Sequence, residues 1–280
     1  LNFIKSRDKE KPFFLYLALP SPHTPILPTK QWINKSKLNP YADFVLQIDN
    51  LIGRLNSLLI DEHIDENTIL IISSDNGCSP EANFKLLAEK GHDPSYIFRG
   101  HKADIFEGGT RVPLIVKWPK KIQKKSISNK LVSLVDFYST FAEILGLNLG
   151  ENEGEDSFSL VPIFENSNSL GSRSSLVTSS VNGTFAIQKN EFKLITSPDS
   201  GGWSHPVPRN NNDNIGSDFQ LYNLELDPGE ENNLYSKNYT IANELKDELK
   251  KIIVDGRSTV GKKLKNENID NWKQINWINK

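Results

Sequence analysis

Three short stretches carry residues whose types and spacing could hold an anion beside a divalent cation. The first, Ser74-Asp75-Asn76-Gly77, closes the apolar run Thr68–Ser73. A carboxylate beside an amide carbonyl gives two adjacent hard oxygen donors, suited to Ca²⁺ or Mg²⁺ rather than to a soft metal. An Asn-Gly turn with an Asx hydrogen bond accounts for the dipeptide as well. In the second stretch, Gly100-His101-Lys102 precedes Glu107-Gly108-Gly109-Thr110-Arg111-Val112-Pro113. There Lys102 offers a cationic point charge, and the paired glycines let one backbone approach another closely. The third is Pro20-Ser21-Pro22-His23-Thr24-Pro25, where three prolines forbid helix and stiffen the loop around the histidine. His23 is either solvated surface or a general acid for a leaving group, since imidazole can carry a proton near neutral pH.

These residues need elements to position them. Thr68–Ser73 reads as a fully buried parallel strand, which would set Asp75 and Asn76 just outside its carboxyl end, where open α/β sheets bind ligands. Phe13–Leu19 reads as a second strand, ending at the His23 loop. Between them Asn39 and Pro40 open a helix whose apolar residues, from Phe44 to Leu59, recur at three and four. Asp43, Asp49 and Arg54 fall on its solvated side. Residues 79–98 form a long polar connection over the site rim, with His92 on the surface. Leu131–Leu147 reads as a helix stopped by Gly146 and Asn148. Beyond the polar stretch 166–175 the period changes. Ser175–Val181, Phe185–Gln188, Phe192–Thr196 and Phe219–Leu224 read as short strands with hairpin signals at Asn182-Gly183 and Lys189-Asn190, and a charged helix spans 241–254.

Taken together, Ser-Asp-Asn-Gly followed by Gly-His-Lys-x4-Glu-Gly-Gly-x-Arg-Val-Pro resembles the formylglycine-dependent type I sulfatases of the alkaline phosphatase superfamily. The resemblance extends to Phe14-Leu15-Tyr16-Leu17-Ala18-Leu19-Pro20-Ser21-Pro22-His23-Thr24-Pro25 and to Leu221-Tyr222-Asn223-Leu224 with Asp227-Pro228-Gly229-Glu230. It implies an α/β fold, the C-terminal part of an alkaline phosphatase-like α/β/α sandwich over residues 1–170. A small antiparallel sheet with a covering helix would follow over 171–280. It implies Ca²⁺ held in part by Asp75 and Asn76, sulfate bound by Lys102, and His23 contacting the sulfate and the bridging ester oxygen. It further implies a formylglycine nucleophile, a sulfated carbohydrate substrate and a periplasmic or secreted location. Trp203 and His205, in the loop Asp199-Ser200-Gly201-Gly202-Trp203-Ser204-His205-Pro206, could stack on and hydrogen-bond a sugar; an incidental aromatic in a loose loop is the competing reading.

Composition bounds these readings. Thirty-three basic residues against 35 acidic ones leave a net charge of −2, so no global field favours nucleic acid and any anion site is local. The basic cluster Lys120–Lys130 lacks interleaved aromatics and reads as a solvated loop. No run reaches the length of a membrane span. Cys78 is the only cysteine, and Ser79-Pro80-Glu81 after it lacks the arginine of the Cys/Ser-x-Pro-x-Arg segment that yields formylglycine. With no methionine at all, the sequence is expected to be a piece of a longer protein that supplies the nucleophile. A phosphodiesterase or phosphonate hydrolase of the same superfamily would more often place His where Asn76 stands. A pseudoenzyme that binds sulfated glycans without turnover would keep every feature above.

Overall fold

The computed structural model describes residues 1–171, 173–208, 218–265 and 272–279. It is mixed α/β and divides into two compact units, one of residues 1–73, 78–96 and 113–120, the other of residues 74–77, 97–112 and 121–280.

The first unit holds α1 (Asn2–Ser6), α2 (Pro40–Asp61), β1 (Leu70–Ser73), α3 (Phe84–Glu89) and β2 (Leu114–Lys117). Helix α2 begins where its sequence dictates: extended Asn39 accepts the Ala42 N–H at 3.0 Å and Pro40 occupies the first turn. Its apolar stripe buries Leu58 and Leu59 against Ile4, with Leu55, Ile64 and Leu70 around them.

Three expectations fail in this unit. Strand β1 is partly buried and pairs antiparallel with β2, Leu70 opposite Lys117 and Ser73 opposite Leu114. A short apolar run carries no information on strand direction; here the chain returns along β1 after the second motif. Phe13–Leu19 forms no strand, and Phe14 and Tyr16 are 73% and 81% exposed. Strand geometry needs a neighbour for its backbone groups, and no strand among the described residues supplies one. Asp43 is buried rather than solvated: its carboxylate accepts the Asn34 and Ser36 N–H groups, both at 2.7 Å, and so pins the preceding loop to α2. Asp49, Arg54 and His92 are exposed, as expected.

The second unit contains α4 (Glu107–Thr110), α5 (Phe137–Ile144), α6 (Val161–Glu165), β3 (Ser175–Ser179), β4 (Phe185–Lys189), β5 (Phe192–Ile195), β6 (Gln220–Asn223) and α7 (Tyr239–Asp255). The α5 helix is shorter than its periodicity suggests. Residues 134–136 form a 3₁₀ turn because buried Asp136 is committed elsewhere: it accepts the Ser133 and Phe158 N–H groups and pairs with Arg173. The helix ends at left-handed Gly146, as the sequence indicated.

Strands β3-β4-β5-β6 form an antiparallel sheet in that order. Side chains alternate across it. Ile187, Leu194 and Leu221 face α7, where Ala242, Leu245 and Leu249 complete the larger core. Ala186, Ile195 and Tyr222 point to the other face and enclose Ile105 and Phe106 from the second motif. Each such buried apolar side chain contributes roughly 2 kcal/mol. With helix on one face and motif on the other, Phe185-Ala186-Ile187 and Leu194-Ile195 are apolar toward both faces rather than half-polar in alternation.

Candidate anion and metal site

Backbone crossing, rather than side-chain packing, joins the first two motifs. The Gly77 N–H donates to the Gly109 carbonyl at 3.0 Å. A Cβ at Gly77 would overlap the Gly108 carbonyl; one at Gly108 would strike the Arg99 and Gly100 carbonyls, and one at Gly109 those of His101 and Asp104. Glycine is therefore required at all three positions, and Asp75-Asn76 comes to lie on a segment bonded directly to the motif that carries Lys102.

Asp75 is exposed and Asn76 half-buried. The Asn76 amide nitrogen donates to the Gly77 carbonyl at 2.9 Å, which leaves Oδ1 without a hydrogen bond among the described residues. Among the described residues the Asp75 carboxylate has only a long contact with the Ser74 hydroxyl, at 3.5 Å. Two adjacent hard oxygens are thus free to face a cation. Among the described residues no group of three or more His, Cys, Asp or Glu could hold a metal, so these two oxygens would not complete a cation site by themselves.

Lys102 is half-buried on a tight turn in which the Asp104 N–H donates to the His101 carbonyl at 3.1 Å and Ala103 takes a positive φ of 84°. Among the described residues its ammonium makes no ion pair, which leaves it available to an anion. The buried Asp104 carboxylate fixes this turn by accepting the His101 N–H at 2.8 Å on Oδ2. Its Oδ1 accepts the Trp203 and Ser204 N–H groups at 2.7 and 3.0 Å. The Gly-Gly-Trp loop is therefore tied to the Lys102 turn and is not a loose segment. Trp203 is 52% exposed and His205 is exposed, with the His205 carbonyl accepting from Arg99 at 3.2 Å.

Beneath the motif lies a buried charge cluster that the residue types alone did not disclose. Lys193 Nζ stands 2.9 Å from both Glu107 Oε1 and Glu230 Oε1, and the Lys193 side chain is 2% exposed. Glu230 Oε2 accepts the Glu107 N–H at 2.7 Å, while Arg111 donates to Glu107 at 2.6 Å. Burial pushes the Glu107 carboxyl up, but Lys193 and Arg111 outweigh it and hold it below the usual carboxylate range. Burial, together with the Glu107 charge, wins at Glu230 and raises its carboxyl despite Lys193. For Lys193, burial alone would depress the ammonium; the two carboxylates hold it above the ordinary lysine value. Arg99 completes the frame, donating to the Glu230 carbonyl at 2.8 Å and lying over Phe106 at 4.0 Å. The available signal was Lys193 on the Ile195 face of an otherwise apolar strand, where a charge demands a partner.

Of the six residues singled out from the sequence, Asp75, Asn76, Lys102, Trp203 and His205 belong to the second unit. His23 belongs to the first. It is exposed, on a turn where its N–H donates to the Pro20 carbonyl at 3.0 Å and its Nδ1 lies 2.9 Å from the Thr24 carbonyl.

The comparisons with known proteins agree with one another. Residues 1–147 match the sulfatase family model, and residues 100–201 match that of the N-sulphoglucosamine sulphohydrolase C-terminal region. The chain belongs to the sulfatase family. It is 34% identical over 261 residues to an N-acetylgalactosamine-6-O-sulfatase of Bacteroides thetaiotaomicron, covering 90% of this chain and 49% of that one. It is 33% identical over 162 residues to human N-acetylgalactosamine-6-sulfatase, covering 58% of this chain and 30% of that one. One solved structure, from work on glycosaminoglycan metabolism by Bacteroides thetaiotaomicron, superposes with a TM-score of 0.78 at 33% identity, over 90% of this chain and 52% of that one. Another is Ps i-CgsB in complex with k-i-k-neocarrahexaose, with a TM-score of 0.71 at 25% identity, over 94% of this chain and 55% of that one. The fold class is that of the alkaline phosphatase-like sulfatases, as the sequence motifs implied. The chain spans about half the length of its Bacteroides relative.

Proposed function

We propose that the protein containing this chain is a sulfuric ester hydrolase that removes sulfate from a carbohydrate. The observation that carries the reading is the crossing of Gly77 over Gly108-Gly109. It sets two hard oxygens on a segment bonded to the motif that bears Lys102, with no ion pair to that lysine among the described residues, and the motif is itself tied to a loop presenting an exposed tryptophan. Lys102 binds the sulfate, and His23 protonates the leaving oxygen. Trp203 and His205 receive the sugar.

Asp75 and Asn76 are two of the ligands to Ca²⁺, which when bound would draw charge from the sulfate oxygens. The covalent nucleophile is a formylglycine contributed from outside these 280 residues, because Cys78, although Pro80 follows it at the right spacing, has Ala82 where its precursor requires Arg. Residues 1–170 would then be the C-terminal part of a catalytic domain and 171–280 its antiparallel-sheet subdomain. Family likeness supports a periplasmic or secreted location; no helix among the described residues is long and apolar enough to cross a membrane.

The test is turnover by the full-length protein of a sulfated oligosaccharide and of an aryl sulfate. A Trp203→Ala variant should lose about tenfold or more in kcat/KM on the first and little on the second, as for one lost substrate contact. Equal losses would make Trp203 structural, and absence of sulfate release from either substrate by the unaltered protein would remove the assignment.

A further inference from the structure

The mechanism above assigns no role to Asp104, a buried carboxylate of the second motif. Asp104 is 1% exposed, yet it pairs with no lysine or arginine among the described residues. Its nearest ionisable neighbour is the His101 ring, 3.4 Å from Oδ2. It instead divides its two oxygens between two segments: Oδ2 takes the N–H of His101, next to Lys102, and Oδ1 takes those of Trp203 and Ser204. Three charge-assisted bonds to backbone make a rigid clip. Neighbouring backbone bonds reinforce it, with the Ile105 N–H on the Ser200 carbonyl at 2.8 Å and the Val181 N–H on the Ala103 carbonyl at 3.0 Å. The approach is close enough that a Cβ at Gly202 would collide with the Ala103 carbonyl and with Asp104 Oδ1.

On the reading of this site as a sulfated-carbohydrate hydrolase, we propose that Asp104 is a positioning residue for substrate specificity. It locks the Trp203 loop to the Lys102 turn, so that the surface receiving the sugar ring and the charge receiving its sulfate keep one fixed separation. Such a ruler admits sugars whose sulfate projects at the matching distance from the stacked ring and disfavours others. Only a carboxylate serves both segments, since an asparagine would turn its amide nitrogen toward one set of N–H donors.

The experiment uses the full-length protein with Asp104→Asn, and independently Gly202→Ala, which pushes the loop off the clip while leaving Asp104 intact. Each should raise KM for a sulfated oligosaccharide about tenfold, the scale of a misplaced binding group; for Gly202→Ala, which leaves the Asp104 bond to the Lys102 turn in place, aryl sulfate turnover stays within about threefold. Placed in a Trp203→Ala background, Gly202→Ala should add less than about twofold on the oligosaccharide, because its effect travels through that loop. Equal losses on both substrates for Gly202→Ala, or full additivity of Gly202→Ala with Trp203→Ala, would overturn the proposal. If the unaltered protein releases sulfate from neither ester, the hydrolase reading fails and this proposal with it; that outcome is distinct from a variant phenotype on an active enzyme.

Discussion

Lys193→Met is the most informative perturbation, because it removes the single cation between two buried carboxylates without changing the shape of β5 greatly. At 2.9 Å, each Nζ to oxygen contact corresponds to about 6 kcal/mol of attraction at an effective dielectric constant of about 20. Desolvation of the ammonium consumes most of that gain. The net penalty of deleting one partner is about 3–5 kcal/mol, because Glu107 and Glu230 are left facing each other in a dry site. For a chain of this size that is a fall in Tm of about 10 °C. The loss depends on pH in a definite direction. Glu230 already titrates above the usual carboxylate range, so its neutral form is favoured in the fold and its contribution is present in acid and lost as pH rises. Glu107 titrates below that range, so its contribution is present at neutral pH and lost as pH falls through its folded value. The unaltered protein should therefore lose the Glu107 contribution as pH falls through that lowered value, while Lys193→Met recovers some stability by protonating a carboxyl. The gap in Tm, followed by circular dichroism, should narrow from pH 7 toward pH 5. Glu230→Gln in the variant background should restore part of the loss at pH 7. A variant melting within about 1 °C of the unaltered protein at pH 7, on the same scale, would refute this account of the cluster.

Three further outcomes follow from the same structure. In the full-length protein Lys102→Ala should lower turnover by about 10²-fold or more, as for one preorganised charge donor; unchanged kinetics would remove Lys102 from the site. Asp43→Ala strands the Asn34 and Ser36 N–H groups and should cost about 2 kcal/mol in urea unfolding at pH 7. Burial works against the Asp43 charge, but those N–H bonds hold its carboxyl below the usual value, so the difference from the unaltered protein should shrink as pH falls toward that lowered value. Residues 1–280 alone should release no sulfate from an aryl or sugar ester and should bind Ca²⁺ only at roughly millimolar concentrations in calorimetry, since two donors fall short of the six to eight that tight sites use.

The candidate site was more legible in the sequence than the sheet beside it. Asp75, Asn76 and Lys102 announced themselves through glycines at fixed separations, and the structure shows what the glycines do: three successive backbone crossings that tolerate no Cβ. Helix α2 and the hairpins of β3 to β5 were legible because caps and turns are local signals. Strand direction was not, because β1 takes its orientation from a partner more than forty residues away. Nor was the absence of a strand at Phe13–Leu19, where an apolar run meets no neighbouring backbone among the described residues.

The least legible residues were buried charges, and they share one cause. Asp104, Glu107, Lys193 and Glu230 each look like surface in a window of ten, because burial of a charge there depends on a partner distant in sequence. Lys193 meets Glu107 across 86 positions, and Asp104 meets Trp203 across 99. Those distances also explain why the charges are buried at all. The face of the sheet opposite α7 is covered by a segment of backbone with only Ile105 and Phe106 as apolar anchors, too few to fix a turn to the accuracy that binding a small anion demands. Directional bonds to Glu107 and Asp104 supply what apolar packing cannot, a unique register between the motif and the sheet. On that argument the charge cluster and the Asp104 clip are parts of one device, and loosening either should broaden the set of accepted esters before it abolishes turnover.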